Sequence, residues 1–528
     1  MKFFKITIAL SLILAVAASM AQSVSTVKTG AEVKLKTNEH VRRILGSDNE
    51  GFYVLSSTMG IGGTMEEKFF VSKYDNTTLA LKWTKDFSLN VSSQPFEDAF
   101  LLKDKVVVLY SSWEKSDNTK ALNVKTFSAN GEVTDLPNKE ARIKSGMFDF
   151  VNRDFYFSFS PDSSKLLVVN KFQDKKKPEE VSAVVLDVNG FKKISEKSIS
   201  NMYKEARVAS YKYRIDNTGN IFYLVSYLSG ELVQNSFCIL NTGASQASYM
   251  DLKLVTGRVS NSDLFLRIKD LKYNKNGIKF IENANEITYD LSANNQATVM
   301  GLFKDFKQNK VGVFQYTIDT KSGKSLSNTE QFFDATTESR LNALGKEKSP
   351  IGYDYRMNTL FNQKGSLIVF ASVFKIKGYS NESNLLSDRY DDLILAFKPS
   401  GLVWSGAFPG GMRDIGTEKD IVHAYKKDNS IFYCSGVYDS KRITGTCLEA
   451  FKSQFEEAAT QKKDMAFIEI TDAGIKNIVG YAMNDKKASV LLTDQFLTMN
   501  GNFLLPISYF NNVTGSNSAI KFSLLEWK

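Results

Sequence analysis

With 528 residues, 43% hydrophobic and 24% charged, and only 8 prolines, the chain can build a large core; a disordered or collagen-like protein is excluded. The formal charge of +9 is modest for this length. Its basic residues are scattered and only Lys175, Lys176 and Lys177 form a run, so the charge is compatible with an anionic glycan or membrane surface, while nucleic-acid binding has no motif behind it.

The chain opens with MKFFKITIALSLILAVAASMA. Lys2 and Lys5 make a basic start, residues 6–18 an apolar run, and Ser19, Met20 and Ala21 a small-residue cleavage site, so residues 1–21 are expected to be a secretory signal removed before Gln22. No later stretch approaches the roughly 18 consecutive apolar residues of a spanning helix, and no transmembrane segment is expected. No cysteine follows the cleavage point, which argues against a lipoprotein.

Residues 31–36 (AEVKLK) alternate like a strand with no immediate partner. A repeated unit then begins: a strand, a Gly/Asn/Asp turn, a second strand, a variable loop and a closing hairpin. The turn and second strand appear at 46–57, 101–112, 159–170, 214–227, 361–373, 426–437 and 497–509. The hairpin appears at 125–133 (KTFSANGEV), 184–194 (VVLDVNGFKKI), 393–406 (LILAFKPSGLVWSG) and 464–481 (DMAFIEITDAGIKNIVGY), where Gly474 suits a turn with positive φ. Turns recur every 55 to 75 residues, roughly. Between 252 and 349 two candidate turns crowd together, one of them NKNG at 274–277; this reads as one blade with an enlarged first half.

The pattern predicts an all-β protein, a β-propeller of about eight four-stranded antiparallel blades, with seven as the alternative if two units merge. Residues 519–527 (AIKFSLLEW) look like a third strand with no fourth to follow, and the strand at 31–36 is expected to complete that blade and close the ring. Residues 22–528 are thus expected to form one domain.

Residues 157–171 (FSFSPDSSKLLVVNK) resemble the repeat of TolB-like propellers, FSPDG followed by an apolar strand, with Ser163 where that family prefers glycine. The resemblance implies the fold and transfers no catalytic residue.

In a four-stranded blade the innermost strand starts on the face that also carries the loops between second and third strands, the usual ligand face of this architecture. The polar residues expected at or near those starts are His40, Arg42, Glu97, Asp98, Asp154, Arg207, Tyr211, Arg356, His423 and Asp494, a mixed-charge ring that could bind a polar ligand or line a hydrated channel. No HExxH, Cys-x-x-Cys, GxSxG, P-loop or GxGxxG-plus-helix pattern occurs, so neither a catalytic residue nor a metal or cofactor is expected. Of three cysteines, Cys238 reads as a buried strand residue; Cys434 and Cys447 flank a loop and either pair or remain thiols. Two long insertions are expected on the ligand face. Residues 375–392 form a polar loop, and 438–464 contain a stretch whose Leu448, Phe451 and Phe455 keep helical spacing, suiting a cap on the blade edge or a partner-docking helix.

The leading expectation is an exported, non-enzymatic propeller, periplasmic or extracellular, that binds or scaffolds a protein or glycan at a bacterial cell envelope. A glycan-active enzyme using the inner-ring acids (a glycoside hydrolase or lyase) and a structural surface component are the alternatives.

Overall fold

The computed structural model describes residues 24–527 except for 59–65, 137–140, 145–154, 173–179, 200–207, 259–278, 340–353, 380–384, 410–423, 437–464, 482–488, 492–496, 512–515 and gaps of three residues or fewer. Within them the protein is a ring of eight antiparallel blades, and the fold expected from the repeat is the fold observed.

From the innermost strand outward, blade 1 is Glu39–Ser47, Gly51–Thr58, Glu66–Asp75 and Leu81–Asn90; blade 2 is Phe96–Leu102, Lys105–Glu114, Thr119–Phe127 and Val133–Leu136. Blade 3 is Phe155–Phe159, Lys165–Phe172, Glu180–Asp187 and Lys193–Ile199; blade 4 is Val208–Ile215, Ile221–Ser229, Leu232–Leu240 and Ser248–Arg258. Blade 5 is Ile287–Ser292, Gln296–Asp305, Lys310–Asp319 and Ser325–Phe332; blade 6 is Asp354–Gln363, Ser366–Tyr379, Leu385–Lys398 and Gly401–Pro409. Blade 7 is Ala424–Lys427, Ser430–Gly436, Met465–Thr471 and Gly474–Tyr481. In blade 8 the innermost strand comes in two pieces, Ser489–Leu491 and Leu497–Met499, followed by Asn502–Asn511 and Ser516–Trp527.

The fourth strand of blade 8 comes from the other end of the chain. Val24–Thr29 pairs antiparallel with Ser516–Trp527, Val24 opposite Trp527. The strand expected at 31–36 is shorter than its alternation suggests. Only Val33–Lys34 joins the sheet, opposite Ile520 and Ala519, and most of the closing edge lies upstream. Gly30 sits where a Cβ would meet Leu79 Cβ at 2.8 Å, and its N–H donates to Phe522 O (2.9 Å), so the chain turns there and the two segments become separate strands.

Second and third strands are apolar on both faces (VVVLY, LLVV) because each blade is buried by a neighbour on either side. Tyr53 and Leu55 of blade 1 pack against Val106 and Val108 of blade 2, whereas Phe52 and Val54 pack with Leu504, Ile520 and Phe522 of blade 8. Eight apolar clusters result, one in each gap between successive blades, and the cluster between blades 8 and 1 closes the circle. There the Phe52 and Phe522 ring centroids lie 4.8 Å apart, edge to face.

The crowded interval after 252 is one enlarged blade, as the sequence suggests, and it adds a strand of its own. Lys279–Asn283 runs parallel to the outermost strand of blade 4 and pairs with the second strand of blade 5, joining the two blades into one continuous sheet. The candidate turn at 274–277 lies outside the described residues.

In the closing hairpin of blade 7, Gly474 has φ of +126°. In the blade 3 turn Ser163 has φ of +55°, a left-handed conformation that favours glycine.

Candidate functional site

The innermost strands of four blades share an irregularity that alternation does not announce. In blade 1, Val41 stands opposite Ser56 and Arg43 opposite Leu55, leaving Arg42 as an extra residue. In blade 2, Phe96 faces Tyr110 and Asp98 faces Leu109, leaving Glu97 extra. Register slips by one again within 211–214 of blade 4 and 357–360 of blade 6. Such bulges twist a strand and re-aim the extra side chain.

At blade 1 the bulge turns Arg42 along the sheet toward blade 2. Its Nε donates to Ser57 Oγ (2.8 Å), its guanidinium pairs with Glu67, and its Cζ lies 5.1 and 5.6 Å from the Phe69 and Phe96 ring centroids. His40 Nε2 lies 3.2 Å from the same Ser57 oxygen. At blade 2 the bulge turns Glu97 into the gap toward blade 3, where Lys120 Nζ meets its Oε1 at 2.8 Å and Ser111 Oγ donates to the same oxygen. Both partners are deeply buried, with side chains 2% (Lys120) and 7% (Glu97) exposed, and Lys120 Nζ stands 5.3 Å from the centre of the Phe155 ring. Asp98 accepts from Arg43 Nη2 (2.7 Å) and from the Ala99 N–H (2.8 Å).

Arg43–Asp98 ties the innermost strand of blade 1 to that of blade 2. Arg214 and Asp290 repeat the arrangement between blades 4 and 5 at 3.6 Å, with Arg214 over the Tyr289 ring. Burial raises the Asp290 carboxyl above the usual aspartate value, and Arg214 partly offsets it.

Four of the expected site residues, His40, Arg42, Glu97 and Asp98, therefore come together along two neighbouring blades. Tyr211 lies in the innermost strand of blade 4 opposite Leu224, and Arg356 in that of blade 6 opposite Ser372. Asp154, Arg207, His423 and Asp494 lie outside the described residues. Sequence reasoning missed Arg43, Glu67, Ser111, Lys120, Arg214 and Asp290; Arg43 adjoins an expected residue, but a partner on a third strand or a neighbouring blade leaves no local trace.

Cys434 lies in the second strand of blade 7 opposite Phe467, while Cys447 is outside the described residues. Cys238 is a buried free thiol pushed up to about 12 by burial. The expected polar loop at 375–392 is largely hairpin. Residues 375–379 and 385–392 prolong the second and third strands of blade 6, with Lys375 opposite Asp388 and Tyr379 opposite Leu385. The insertion at 438–464 is outside the described residues. Among the described residues no three His, Cys, Asp or Glu side chains gather as a metal site, and no helix is long and apolar enough to cross a membrane.

No family model matches the chain, and no curated protein does. Among solved structures it is similar to a europium-containing methanol dehydrogenase (10% identity, TM-score 0.42, covering 95% of this chain and 93% of that one). It is similar also to the polysaccharide lyase Uly1 (9%, 0.39, covering 95% and 100%) and to the β-propeller domain of the Trilobed protease from Pyrococcus furiosus (10%, 0.30, covering 72% and 97%). At a tenth identity or less, these likenesses reach no further than shape.

Proposed function

We propose that this chain is an exported, non-enzymatic β-propeller, a binding or scaffolding module for a protein or glycan at the bacterial cell envelope, with a TolB-like repeat in blade 3. One observation carries the reading. Of the four acids expected in the ring, the two among the described residues, Glu97 and Asp98, are each held by a cation, Lys120 and Arg43, across strands or blades. Acids engaged in this way join structural elements. A glycosidase needs two carboxyl groups facing a substrate across about 5 to 9.5 Å.

The leader at 1–21 is the basis for export, periplasmic or extracellular, and residues 22–528 form the functional unit. Ligand contacts are assigned to the face carrying the loops between second and third strands, where the blade 6 strands extend past residue 374.

The test is capture from detergent-solubilised envelopes with the mature full-length chain, alongside a panel of polysaccharides assayed for cleavage with wild type and with E97A, D98A, D154A and D494A. A saturable envelope partner with no cleavage supports the reading. Hydrolysis or elimination that any of these four substitutions abolishes overturns it in favour of a glycan-active enzyme, and ordered self-assembly without a partner overturns it in favour of a surface-layer component.

A further inference from the structure

Asn–Gly occurs four times in the chain, at Asn130, Asn189, Asn276 and Asn500, and the first two pairs lie in described turns. Both turns join the third strand of a blade to its fourth, in blades 2 and 3, yet their surroundings differ. At Asn130 the turn is clamped. The Gly131 N–H donates to Ser128 O (2.9 Å), Trp83 Nε1 of blade 1 donates to Ala129 O (3.1 Å), and a Cβ at Gly131 would meet Trp83 at 3.2 Å.

At Asn189 both residues of the pair stand exposed at the hairpin tip. Among the described residues the Gly190 N–H has no acceptor, and the nearest atom to its Cβ position is Lys192 Cγ at 3.9 Å, which leaves the backbone room to rotate. The carboxamide lies between opposite charges. Lys103 Nζ of blade 2 donates to Asn189 Oδ1 (3.4 Å), and Asn189 Nδ2 donates to Asp187 Oδ1 (3.4 Å). An ammonium at the carbonyl oxygen makes Cγ more electrophilic and stabilises negative charge that develops on that oxygen.

We propose that Asn189 is a self-modifying position, converted to aspartate and isoaspartate with water as the only co-reactant, while Asn130 persists. Hydroxide takes the Gly190 amide proton, the nitrogen attacks Asn189 Cγ, and the Cγ–Nδ2 bond breaks as ammonia leaves with a proton from water. Water then opens the cyclic imide at either carbonyl. One water is consumed and one ammonia released, with no change in oxidation state. At Asn130 the Gly131 N–H must first give up its hydrogen bond to Ser128 O.

The product bears on the seam between blades 2 and 3. Phe191, next in the chain, is 4% exposed with φ of +53° and belongs to the apolar cluster between those blades. Aspartate adds only a charge beside Lys103. Isoaspartate routes the main chain through the former side chain, lengthens the turn by one methylene and shifts Phe191 from its place. The proposal is independent of the binding-module reading.

The test incubates the full-length mature protein in mildly alkaline buffer, folded and in urea. Mass spectrometry follows the two Asn–Gly peptides, and labelling by an isoaspartyl methyltransferase marks isoaspartate. In the folded protein the 189 peptide is expected to convert about tenfold faster than the 130 peptide, and in urea the two rates should converge. G190A, which adds bulk beside the attacking nitrogen, and K103M should each slow conversion. Aged wild type should melt below N189D, which carries the charge without the added methylene.

No conversion at Asn189, conversion at Asn130 as fast as at Asn189, or the folded-state ratio persisting in urea overturns the proposal; in the last case flanking residues rather than the fold set the rate. An unchanged rate in K103M removes Lys103 from the reaction, and equal melting of aged wild type and N189D removes the effect on the seam.

Discussion

Val24 and Trp527 are register partners on neighbouring strands of blade 8, although almost the whole chain separates them in sequence. Trp527 also stacks edge to face on Phe432 of blade 7, centroids 5.0 Å apart, so the last strand belongs both to its own sheet and to the gap before it.

Removal of residues 22–30 is therefore expected to open blade 8 along Ser516–Trp527. An unpaired edge should lower the melting temperature and promote concentration-dependent association, measured by calorimetry and light scattering. Phe522→Ala tests the same seam from inside. Phe522 is fully buried against Phe52 and Tyr74, and its truncation should cost about 3–5 kcal/mol in urea unfolding. An unchanged midpoint for both variants would show that the ring does not need this seam.

Glu97 and Lys120 should behave as a buried pair. Breaking one partner, in E97Q or K120M, is expected to destabilise by about 3–5 kcal/mol because the other charge is left buried. The double substitution E97L/K120M should recover most of that loss. Equal losses in the singles and the double would refute this account.

Ser163 adopts a left-handed backbone that favours glycine. S163G is expected to raise stability by up to about 1 kcal/mol, and S163V to lower it, since a β-branched side chain tolerates positive φ worst. Thermal melts of the two variants decide the sign.

Asp162 in the same turn should give an acid limb to stability. The Ser160 hydroxyl donates to its carboxylate, as do the Ser164 amide and hydroxyl, and they hold it down at about 2. A carboxyl whose pKa is lower in the folded state stabilises fully above its unfolded value of about 3.9, and the contribution disappears as pH falls through the folded value. Wild type and D162N should therefore differ above pH 4 and converge toward pH 2 in acid-unfolding curves. A constant difference across that range would remove the turn from the acid response.

Much of the architecture was legible in the chain because its signals are local. The turn at Gly474, the doubly apolar strands and the recurrence of the hairpin each depend on residues a few positions apart, and they suffice for a ring of about eight antiparallel blades. The tail strand without a partner likewise pointed to closure by the N-terminal segment. The site was less legible. His40, Arg42, Glu97 and Asp98 are expected from their place at strand starts, but the bulges that aim Arg42 and Glu97 are differences in register between two strands, and neither strand shows them alone.

By itself, then, the sequence determined the kind of blade and the approximate number, through turn chemistry and period-two patterning. Only the tertiary structure decided that Val24–Thr29 rather than residues 31–36 forms most of the closing edge, that Glu97 turns to Lys120, and that Arg43 reaches Asp98 in the next blade. These are contacts between strands brought together by ring closure and blade packing, and their energy depends on burial and distance that no stretch of chain carries in itself.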